Sequence, residues 1–480
     1  MMKQPVSLLL LFLLPLFLKA QFIEVSKNNS YLETSDGEPF LWIGDTAWEL
    51  FHRLNREDAT MYLKNREEKG FSVIQAVVLA ERDGLNKPNA YGEIPLIEKD
   101  PIQPNEKYFE HVDFIVNEAE KLGLVVGMLP TWGDKVTPAH GGGPVIFNEH
   151  NAFIFGEFLG NRYKNKPIVW ILGGDRNVAN EQEKLVWRAM ANGLKKGDGE
   201  NHLITYHPRG YSSSHEKLHH EDWLDFNTYQ CGHSHHYMRV YDFAETLSNV
   251  EPRKPFLDAE PAYEDIPVEF WNYLDWSNSL PVPEDVLKDD HTIAKRAHFE
   301  QGFFDDHDVR VHAYWNFLAG ACGYTYGNNA IWQMFEEGGD MAIPCLTDWR
   351  DALDRPGAES MRFVREIFEK RPFHLLVPNQ SVILGNNPND SLHVRAAVAS
   401  DKSFMLVYAG VGQKLNIDLS EMQSGVIAWW YNPRNGKATK IGKIKNESSY
   451  QFVPPSSGKG NDWLLVLDNP KAKLKNLKLW

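Results

Sequence analysis

Two hydrophobic periodicities alternate along the first three quarters of the chain. Short apolar, β-branched runs are typical of buried strands, and segments with apolar residues every three or four positions are typical of amphipathic helices. The strand-like runs cover residues 39–45, 71–81, 124–134, 167–177, 202–208, 223–233, 255–261 and 309–320. The clearest helix-like segments cover residues 56–70, 106–123, 152–165 and 292–304.

This alternation predicts a parallel (β/α)8 TIM barrel. Eight short strands, most of them followed by a helix, are typical of that fold. A doubly wound sheet is the main alternative, and it usually carries a glycine-rich phosphate-binding turn after its first strand. Here the first strand runs into "GDTAWEL" (44–50), which is not such a turn. We therefore expect an α/β barrel over residues 21–370.

The pattern changes after about Arg371. Short runs with alternating polarity, such as "SFMLVYAG" (403–410) and "DWLLVLDN" (462–469), are separated by Gly, Asn and Pro. Short strands with frequent turn residues predict an all-β module. We expect a small β-sandwich over residues 371–480.

The N-terminus has the pattern of a secretory signal peptide. One lysine precedes an apolar run from Val6 to Leu18, and Ala20 offers a cleavage site, so residues 1–20 are predicted to be removed. The apolar run is too short to span a membrane comfortably, and no cysteine follows it to carry a lipid. We expect a bacterial protein exported to the periplasm or beyond, without a membrane anchor.

Composition narrows the classes of partner. The formal charge of −15 repels phosphate backbones, so nucleic acid is not expected as a partner. Secreted proteins stabilised by disulfides usually carry more than three cysteines, and an even number, so no structural disulfide is expected. The 15 tryptophans are many for this length and fit a protein that stacks flat faces on sugar rings.

Two carboxylates follow predicted strands at the end where barrels build their active sites. Asp175 ends the fourth strand in "ILGGDRN", and Glu260 ends the seventh in "DAEPAYE". In glycoside hydrolysis one carboxyl group protonates the leaving oxygen, while the other attacks the anomeric carbon or activates water. The two would lie about 5 Å apart if the configuration is retained. Alternatively, Asp175 merely caps the next helix.

Further polar and aromatic residues follow the same strand ends, and they are predicted to bind the substrate. Tryptophans would stack on sugar rings, while histidines and amides would bind hydroxyl groups. The predicted residues are Asp45, Trp48, Trp132, Asn177, His207, Tyr229, Gln230, His233, His235 and Trp315. Two of them have a structural alternative, since Asp45 could cap a helix and Trp315 could simply pack in the core.

The cluster "CGHSHH" (231–236) contains the residue types of a zinc site. Metal-dependent barrel hydrolases generally take ligands from several strands, often beginning with His-x-His at the first. The first strand here ends in "GDTAW" (44–48), so no metal and no cofactor are expected. No Gly-x-Ser-x-Gly motif is present, which argues against a serine hydrolase.

Eight motifs in order resemble glycoside hydrolase family 140, the apiosidase-like barrels with a C-terminal module named after the collagen-binding domain of a collagenase. They are "WIGDTAWEL", "VIQAVVLAERDGLN", "PTWGDK", "ILGGDRN", "TYHPRG", "FNTYQCGH", "DAEPAYED" and "YWNFLAGACGYTYG". The resemblance covers nearly the whole mature chain. It implies a retaining enzyme with Asp175 as acid/base and Glu260 as nucleophile. It also implies release of apiose-linked side chains from the pectin rhamnogalacturonan-II. Ala259 replaces the family's usual glycine.

Other functions remain open at this point. The barrel could be a non-catalytic carbohydrate-binding or adhesion protein, or a glycosidase acting on a different sugar. Possession of both carboxylates favours an enzyme that acts on an oligosaccharide or polysaccharide. A collagenase is disfavoured, because the chain contains no His-Glu-x-x-His motif.

Overall fold

The structure is a computed structural model that describes residues 22–138, 143–274, 282–288, 293–422, 425–445 and 448–477. The signal peptide predicted for residues 1–20 lies outside these ranges. A small antiparallel sheet comes first, formed by β1 (Ile23–Val25), β2 (Leu32–Thr34) and β3 (Pro39–Phe40). Buried Ile23 and Leu32 join this sheet to the hydrophobic core of the barrel.

A nine-stranded, mostly parallel sheet follows and forms a (β/α)8-type barrel. Its strands are β4 (Trp42–Thr46), β5 (Val73–Leu79), β6 (Val125–Thr131), β7 (Ile168–Gly173), β8 (Ile204–His207), β9 (Ser212–Ser213), β10 (Asn227–Gln230), β11 (Phe256–Asp258) and β12 (Gly323–Tyr326). The order is β8-β7-β6-β5-β4-β12-β11-β10-β9, and only β9 runs antiparallel to its neighbour. The predicted barrel is confirmed.

Side-chain hydrogen bonds link β8 to β10, where the backbone ladder is interrupted. The hydroxyl of Thr205 donates to the carbonyl of Phe226 at 2.7 Å. The hydroxyl of Thr228 donates in the opposite direction, to the carbonyl of Tyr206. Buried backbone carbonyls need a partner, so these two threonines replace ladder bonds across the seam.

Helices surround the sheet. They are α1 (Leu50–Arg53), α2 (Arg56–Glu68), α3 (Glu106–Lys121), α4 (Glu149–Tyr163), α5 (Glu181–Asp198), α6 (His215–Leu218), α7 (Tyr241–Leu247), α8 (Asp306–Leu318), α9 (Asn329–Trp332), α10 (Trp349–Ala352) and α11 (Pro356–Lys370). Helices α2, α3 and α4 match the predicted segments. The helix predicted for residues 292–304 is wrong within the described residues 293–304, which contain only a 3₁₀ turn at Arg296–His298.

The eighth strand was predicted at residues 309–320, and this prediction is wrong. Residues 309–318 belong to helix α8, which begins with a capping box between Asp305 and Asp308. Every residue of the helix after Asp306 is buried, so its sequence shows no polar face and no helical periodicity. The true eighth strand, β12, pairs with β4 and closes that side of the barrel.

The C-terminal module is all-β, as predicted. Its strands are β13 (Leu376–Pro378), β14 (Val394–Ala399), β15 (Phe404–Ala409), β16 (Leu415–Asp418), β17 (Val426–Tyr431), β18 (Ala438–Ile444), β19 (Ser449–Phe452) and β20 (Trp463–Asp468). Six of them form an antiparallel sheet in the order β13-β14-β15-β20-β17-β18, and β16 pairs with β19 in a second sheet.

The central strands β14, β15 and β20 of the six-stranded sheet are buried on both faces, whereas the edge strand β18 is largely exposed. Successive side chains of a strand point to opposite faces. Leu406 and Tyr408 of β15 join the hydrophobic cluster of the barrel. Met405 and Val407 alternate with them along the strand and belong to the cluster that contains Ile417 of the two-stranded sheet. The module is therefore packed against the barrel through one face of its central strands.

Helix α8 provides much of the barrel's side of this contact. The Arg310 guanidinium lies 3.0 Å from Asp462 in the module, and both side chains are almost fully buried. Tyr314 stacks on Tyr408 with ring centroids 4.6 Å apart. A buried ion pair and a stacked aromatic pair hold the two parts in one arrangement.

Candidate active site

A cleft of about 590 Å³ opens at the carboxyl ends of the barrel strands. Its lining combines carboxylates, arginines, histidines and aromatic rings. Among the lining residues are Trp48, Glu81, Trp132, Asp175, Arg176, Arg209, Tyr211, Gln230, His233, His235, Glu260, Tyr263, Trp271 and Trp332. The size and the mixture of aromatic and polar groups suit a small ligand with many hydroxyl groups.

The "GGD" sequence after β7 makes a turn that ordinary residues cannot make. Gly173, Gly174 and Asp175 have φ values of 82°, 111° and 49°. A Cβ atom on Gly174 would lie 2.9 Å from the ring of Trp132, so the close approach also requires glycine. Asp175 carries the strain of a left-handed conformation without being glycine, which is typical of functional sites. The turn brings its carboxylate into the cleft.

The environment of Asp175 favours its protonated form. Burial is the largest effect, and together with the nearby charge of Glu260 it raises the pKa of Asp175. Arg176 opposes this shift, with Nη1 3.2 Å from Oδ2, as does the N–H of Gly210, which donates to Oδ1 at 3.4 Å. The net direction remains upward, as a general acid requires.

Glu260 follows β11 and is held by two histidines. Nε2 of His207 lies 3.0 Å from Oε2, and Nε2 of His233 lies 3.3 Å from Oε1. The backbone N–H of Asp175 donates to Nδ1 of His207 at 3.3 Å, and that of Tyr263 donates to Nδ1 of His233 at 3.4 Å. Because each Nδ1 accepts a hydrogen bond, each neutral ring carries its proton on Nε2, facing Glu260.

These contacts favour the ionised form of Glu260. Burial acts to raise the pKa of this carboxyl group, but the contacts with His207 and His233 outweigh it and lower the pKa to about 2. The cleft thus contains one carboxyl group biased towards its proton, Asp175, and one biased strongly against it. Neighbouring carboxyl groups with pKa values driven apart are typical of an acid paired with a nucleophile or base.

Aromatic side chains form the walls of the cleft. Trp48 and Trp132 meet edge to face, with ring centroids 5.2 Å apart, next to His207. Tyr211 and Trp271 also line the cleft and are 60% and 43% exposed. Exposed flat rings at the mouth of a polar cleft can stack on sugar rings.

Most of the predicted substrate-binding residues lie at this cleft. Trp48, Trp132, Gln230, His233 and His235 line it, and His207 contacts Glu260 from a fully buried position. Asp45, Asn177, Tyr229 and Trp315 do not belong to the lining.

Asp45 and Tyr229 are instead buried in the barrel. Asp45 forms an ion pair with Arg66 at 2.6 Å and accepts a hydrogen bond from the hydroxyl of Tyr62 at 2.6 Å. The hydroxyl of Tyr229 donates to Asn316 on helix α8. Both side chains therefore contact polar residues of neighbouring helices and do not line the cleft. Their position in the strand alone does not predict this orientation.

Trp315 and Asn177 also have structural contacts. Trp315 lies on α8, fully buried, with its ring edge-on to His393 of the C-terminal module at 5.4 Å. Its predicted place at a strand end depended on the misplaced eighth strand. Asn177 accepts hydrogen bonds from the N–H of Arg209 at 3.0 Å and the hydroxyl of Ser212 at 2.9 Å. It therefore fixes a loop whose residues border the cleft.

Several cleft residues were not predicted. Trp332 is the last residue of α9, the helix after β12, and correct placement of the eighth strand would have put this segment at the rim of the barrel. Tyr263 lies three residues after Glu260, and its ring contacts His233 at 4.6 Å. Arg176 follows Asp175 directly in the "GGDRN" motif, so the sequence does place it at the rim of the barrel, but no role was predicted for it. Arg209 belongs to a loop beyond β8, and no sequence pattern placed it.

Other predictions concern metal, thiols and membranes. Within the described ranges no three His, Cys, Asp or Glu side chains are grouped so that they could hold a metal ion. Cys231, Cys322 and Cys345 are buried and free. Over the same ranges, no helix has both the length and the apolar character needed to cross a membrane.

Comparison with known proteins defines the class first. Two solved structures, one titled "Glycoside hydrolase" and one a glycoside hydrolase family 5 protein from Bacteroides vulgatus, each share 31% identity with this chain. Each match covers 96% of this chain, with 98% and 95% of the respective partner and a TM-score of 0.81 in both cases. The protein is a glycoside hydrolase, so its substrate is a carbohydrate.

Matches to protein-family models identify the family of the chain. Residues 26–374 match the model described as "Apiosidase-like, catalytic domain", and the chain belongs to that family. Residues 377–468 match "Putative collagen-binding domain of a collagenase". A family 5 mannosidase from Rhizomucor miehei shares the fold at 12% identity, with a TM-score of 0.51 over 74% of this chain and 100% of its own. No curated protein matches the chain.

Proposed function

We propose that the protein is a retaining glycosidase in which Glu260 is the nucleophile and Asp175 the acid/base. The observation that carries this proposal is the opposite bias of the two carboxyl groups. The pKa of Glu260 is lowered to about 2, and that of Asp175 is raised, within one cleft. A nucleophile must be ionised and a general acid must hold a proton at the same pH.

The reaction would proceed in two displacements. In the first, a Glu260 oxygen attacks the anomeric carbon while Asp175 gives its proton to the leaving oxygen, which departs with the bond's electron pair. In the second, Asp175 takes a proton from water, and the resulting hydroxide displaces Glu260 from the sugar. His207 and His233 would orient the nucleophile and keep it ionised before the first displacement and after the second.

The proposed substrate is an apiose-linked side chain of the pectin rhamnogalacturonan-II, with the protein a member of glycoside hydrolase family 140. The support is the description of the matching family model and the motifs around Asp175 and Glu260. We also propose that residues 1–20 direct export to the periplasm or the cell exterior. In this proposal residues 21–370 form the catalytic barrel and residues 371–480 an accessory β-module.

The test is incubation of the purified protein with rhamnogalacturonan-II oligosaccharides, with separation of the products by chromatography. The released side chain should carry apiose at its reducing end, and proton NMR of early time points should show the anomer of the substrate's own configuration. A released product with another sugar at its reducing end would overturn the substrate but leave the residue roles in place. Cleavage with inversion would overturn the role of Glu260 as nucleophile. Binding of pectic oligosaccharides without any cleavage would instead indicate a carbohydrate-binding protein.

A further inference from the structure

Glu81 is a third carboxylate in the cleft, and the proposed mechanism gives it no task. It follows β5, and its side chain is 24% exposed. Its Oε1 lies 3.6 Å from Nη2 of Arg176. A carboxylate near a reaction centre influences the proton equilibria of its neighbours even when it never touches the substrate.

Arg176 lies between Glu81 and Asp175. While Nη2 faces Glu81, Nη1 lies 3.2 Å from Oδ2 of Asp175 and donates to its backbone carbonyl at 2.8 Å. The guanidinium is almost fully buried, and its stem packs so closely on Gly133 that a Cβ there would lie 2.7 Å from Cγ. One rigidly held positive charge thus serves two carboxylates.

Several charged residues surround Glu81 and Asp175. Glu81 has Arg176 and Arg82 near it as positive groups and Asp134 and Asp175 as negative ones. Nζ of Lys135 adds a buried positive charge, since it lies 2.8 Å from Asp134 and donates to the carbonyl of Ala80 at 2.8 Å. Burial is the main cause that raises the pKa of Glu81 to about 7. The groups that act on Asp175 are Glu260, Arg176 and His207. One guanidinium is thus shared by two carboxylates, and Asp175 is among the groups that raise the pKa of Glu81.

We propose that Glu81, acting through the shared Arg176, is a positioning residue that sets the pH up to which Asp175 keeps its catalytic proton. This inference rests on the proposed role of Asp175 as acid/base. When Glu81 ionises as the pH rises, it interacts with Arg176 and so weakens the attraction between Arg176 and Asp175. It also adds a negative charge near Asp175. Both effects disfavour ionisation of Asp175, so the acid form persists to higher pH.

Opposite shifts in two variants test this inference. The profile of kcat/KM against pH is measured with a pectic oligosaccharide, whose leaving group needs a proton. Glu81→Gln should move the alkaline limb to lower pH by about one unit, because Arg176 then acts on Asp175 alone. Arg176→Gln should move the same limb to higher pH by about one unit, since the stabilising positive charge is gone.

Two further variants control for general disruption. Glu81→Asp retains the charge and should restore a limb near that of the wild type. Asp340→Asn removes one charge beside Arg82, from which it lies 3.7 Å, without a contact to Arg176 or Asp175, and it should leave the limb in place. Shifts of Glu81→Gln and Arg176→Gln in the same direction, or no shift in either, would overturn the inference.

A second measurement needs no substrate and separates this inference from the proposed function. The carboxyl carbon of Asp175 is titrated by ¹³C NMR and assigned by its loss in Asp175→Asn. If the NMR titration of Asp175 shifts in opposite directions in the two variants, but the kcat/KM profile has no alkaline limb at the pKa of Asp175, the action of Glu81 through Arg176 is supported and the acid/base role is overturned. If the alkaline limb coincides with the pKa of Asp175 but stays fixed in both variants, only the action of Glu81 is overturned.

Discussion

Nε2 of His207 lies 3.0 Å from Oε2 of Glu260, and the opposite nitrogen of the same ring accepts the backbone N–H of Asp175 at 3.3 Å. One buried imidazole therefore contacts the residues at the ends of two different strands. Its tautomer is set by the Asp175 backbone, and the resulting N–H faces Glu260.

Replacement of Glu260 by Ala should abolish turnover of every substrate, because no covalent intermediate can form. Loss of a catalytic nucleophile lowers kcat on the order of 10⁶-fold in enzymes where it has been dissected. The measurement is the initial rate with an oligosaccharide and with an activated aryl glycoside. Glu269→Gln, at a carboxylate near the cleft but outside its lining, serves as the matched control. Activity of Glu260→Ala near that of the wild type would refute its assignment.

Replacement of Asp175 by Ala should lower the reaction rate most for substrates whose leaving group needs a proton. With an unactivated oligosaccharide the rate should fall between about 10² and 10⁴-fold, the usual contribution of general acid catalysis. With a good aryl leaving group, bond cleavage should be affected least. Equal losses on both substrates would mean that Asp175 has another role.

Replacement of His233 by Phe should move the acidic limb of the kcat/KM profile to higher pH. His233 is one of the two groups that lower the pKa of Glu260 to about 2, so its loss raises that pKa towards the ordinary value. A shift of about one pH unit is expected. His235→Phe removes an exposed ring that contacts Ser234 and should leave this limb unmoved. A limb unchanged in both variants would show that His233 does not act on the nucleophile.

Replacement of Arg310 by Met should weaken the attachment of the C-terminal module. It leaves the fully buried Asp462 without its main partner, and breaking a buried pair in this way typically costs about 3–5 kcal/mol of unfolding free energy. Urea denaturation gives the value. Arg239→Met breaks an exposed pair with Asp242 and should cost less than about 1 kcal/mol. Equal costs would show that the interface contributes little.

Activity should survive prolonged dialysis against EDTA. Two carboxyl groups already provide the acid and the nucleophile, so a retaining mechanism leaves no step for a Lewis acid. His207, His233 and His235 would then act as neutral hydrogen-bonding groups rather than as ligands. Turnover that is lost on dialysis and restored by zinc, in protein still folded by circular dichroism, would favour a metallohydrolase instead.

The sequence alone determined the barrel, the C-terminal β-module and the cleft's two principal carboxylates. Strands such as Val73–Leu79 and Ile168–Gly173 are buried on both faces and therefore appear as continuous apolar runs. Since parallel strands of a barrel all point one way, residues that follow them, such as Asp175 and Glu260, must meet at one rim. The local sequence pattern was sufficient for these features, because the barrel topology itself brings the ends of all parallel strands to one rim.

Only the tertiary structure decided the identity of α8 and the orientation of individual side chains. Helix α8 is buried between the barrel and the module, so the helical signature of a polar face is missing from its sequence. Asp45 and Tyr229 lie one residue before the ends of β4 and β10, yet contacts with Arg66 on α2 and Asn316 on α8 hold their side chains between the sheet and the helices. The coupling of Glu81 to Asp175 likewise depends on where Arg176 lies. Such choices depend on contacts between residues far apart in the chain, which no local pattern encodes.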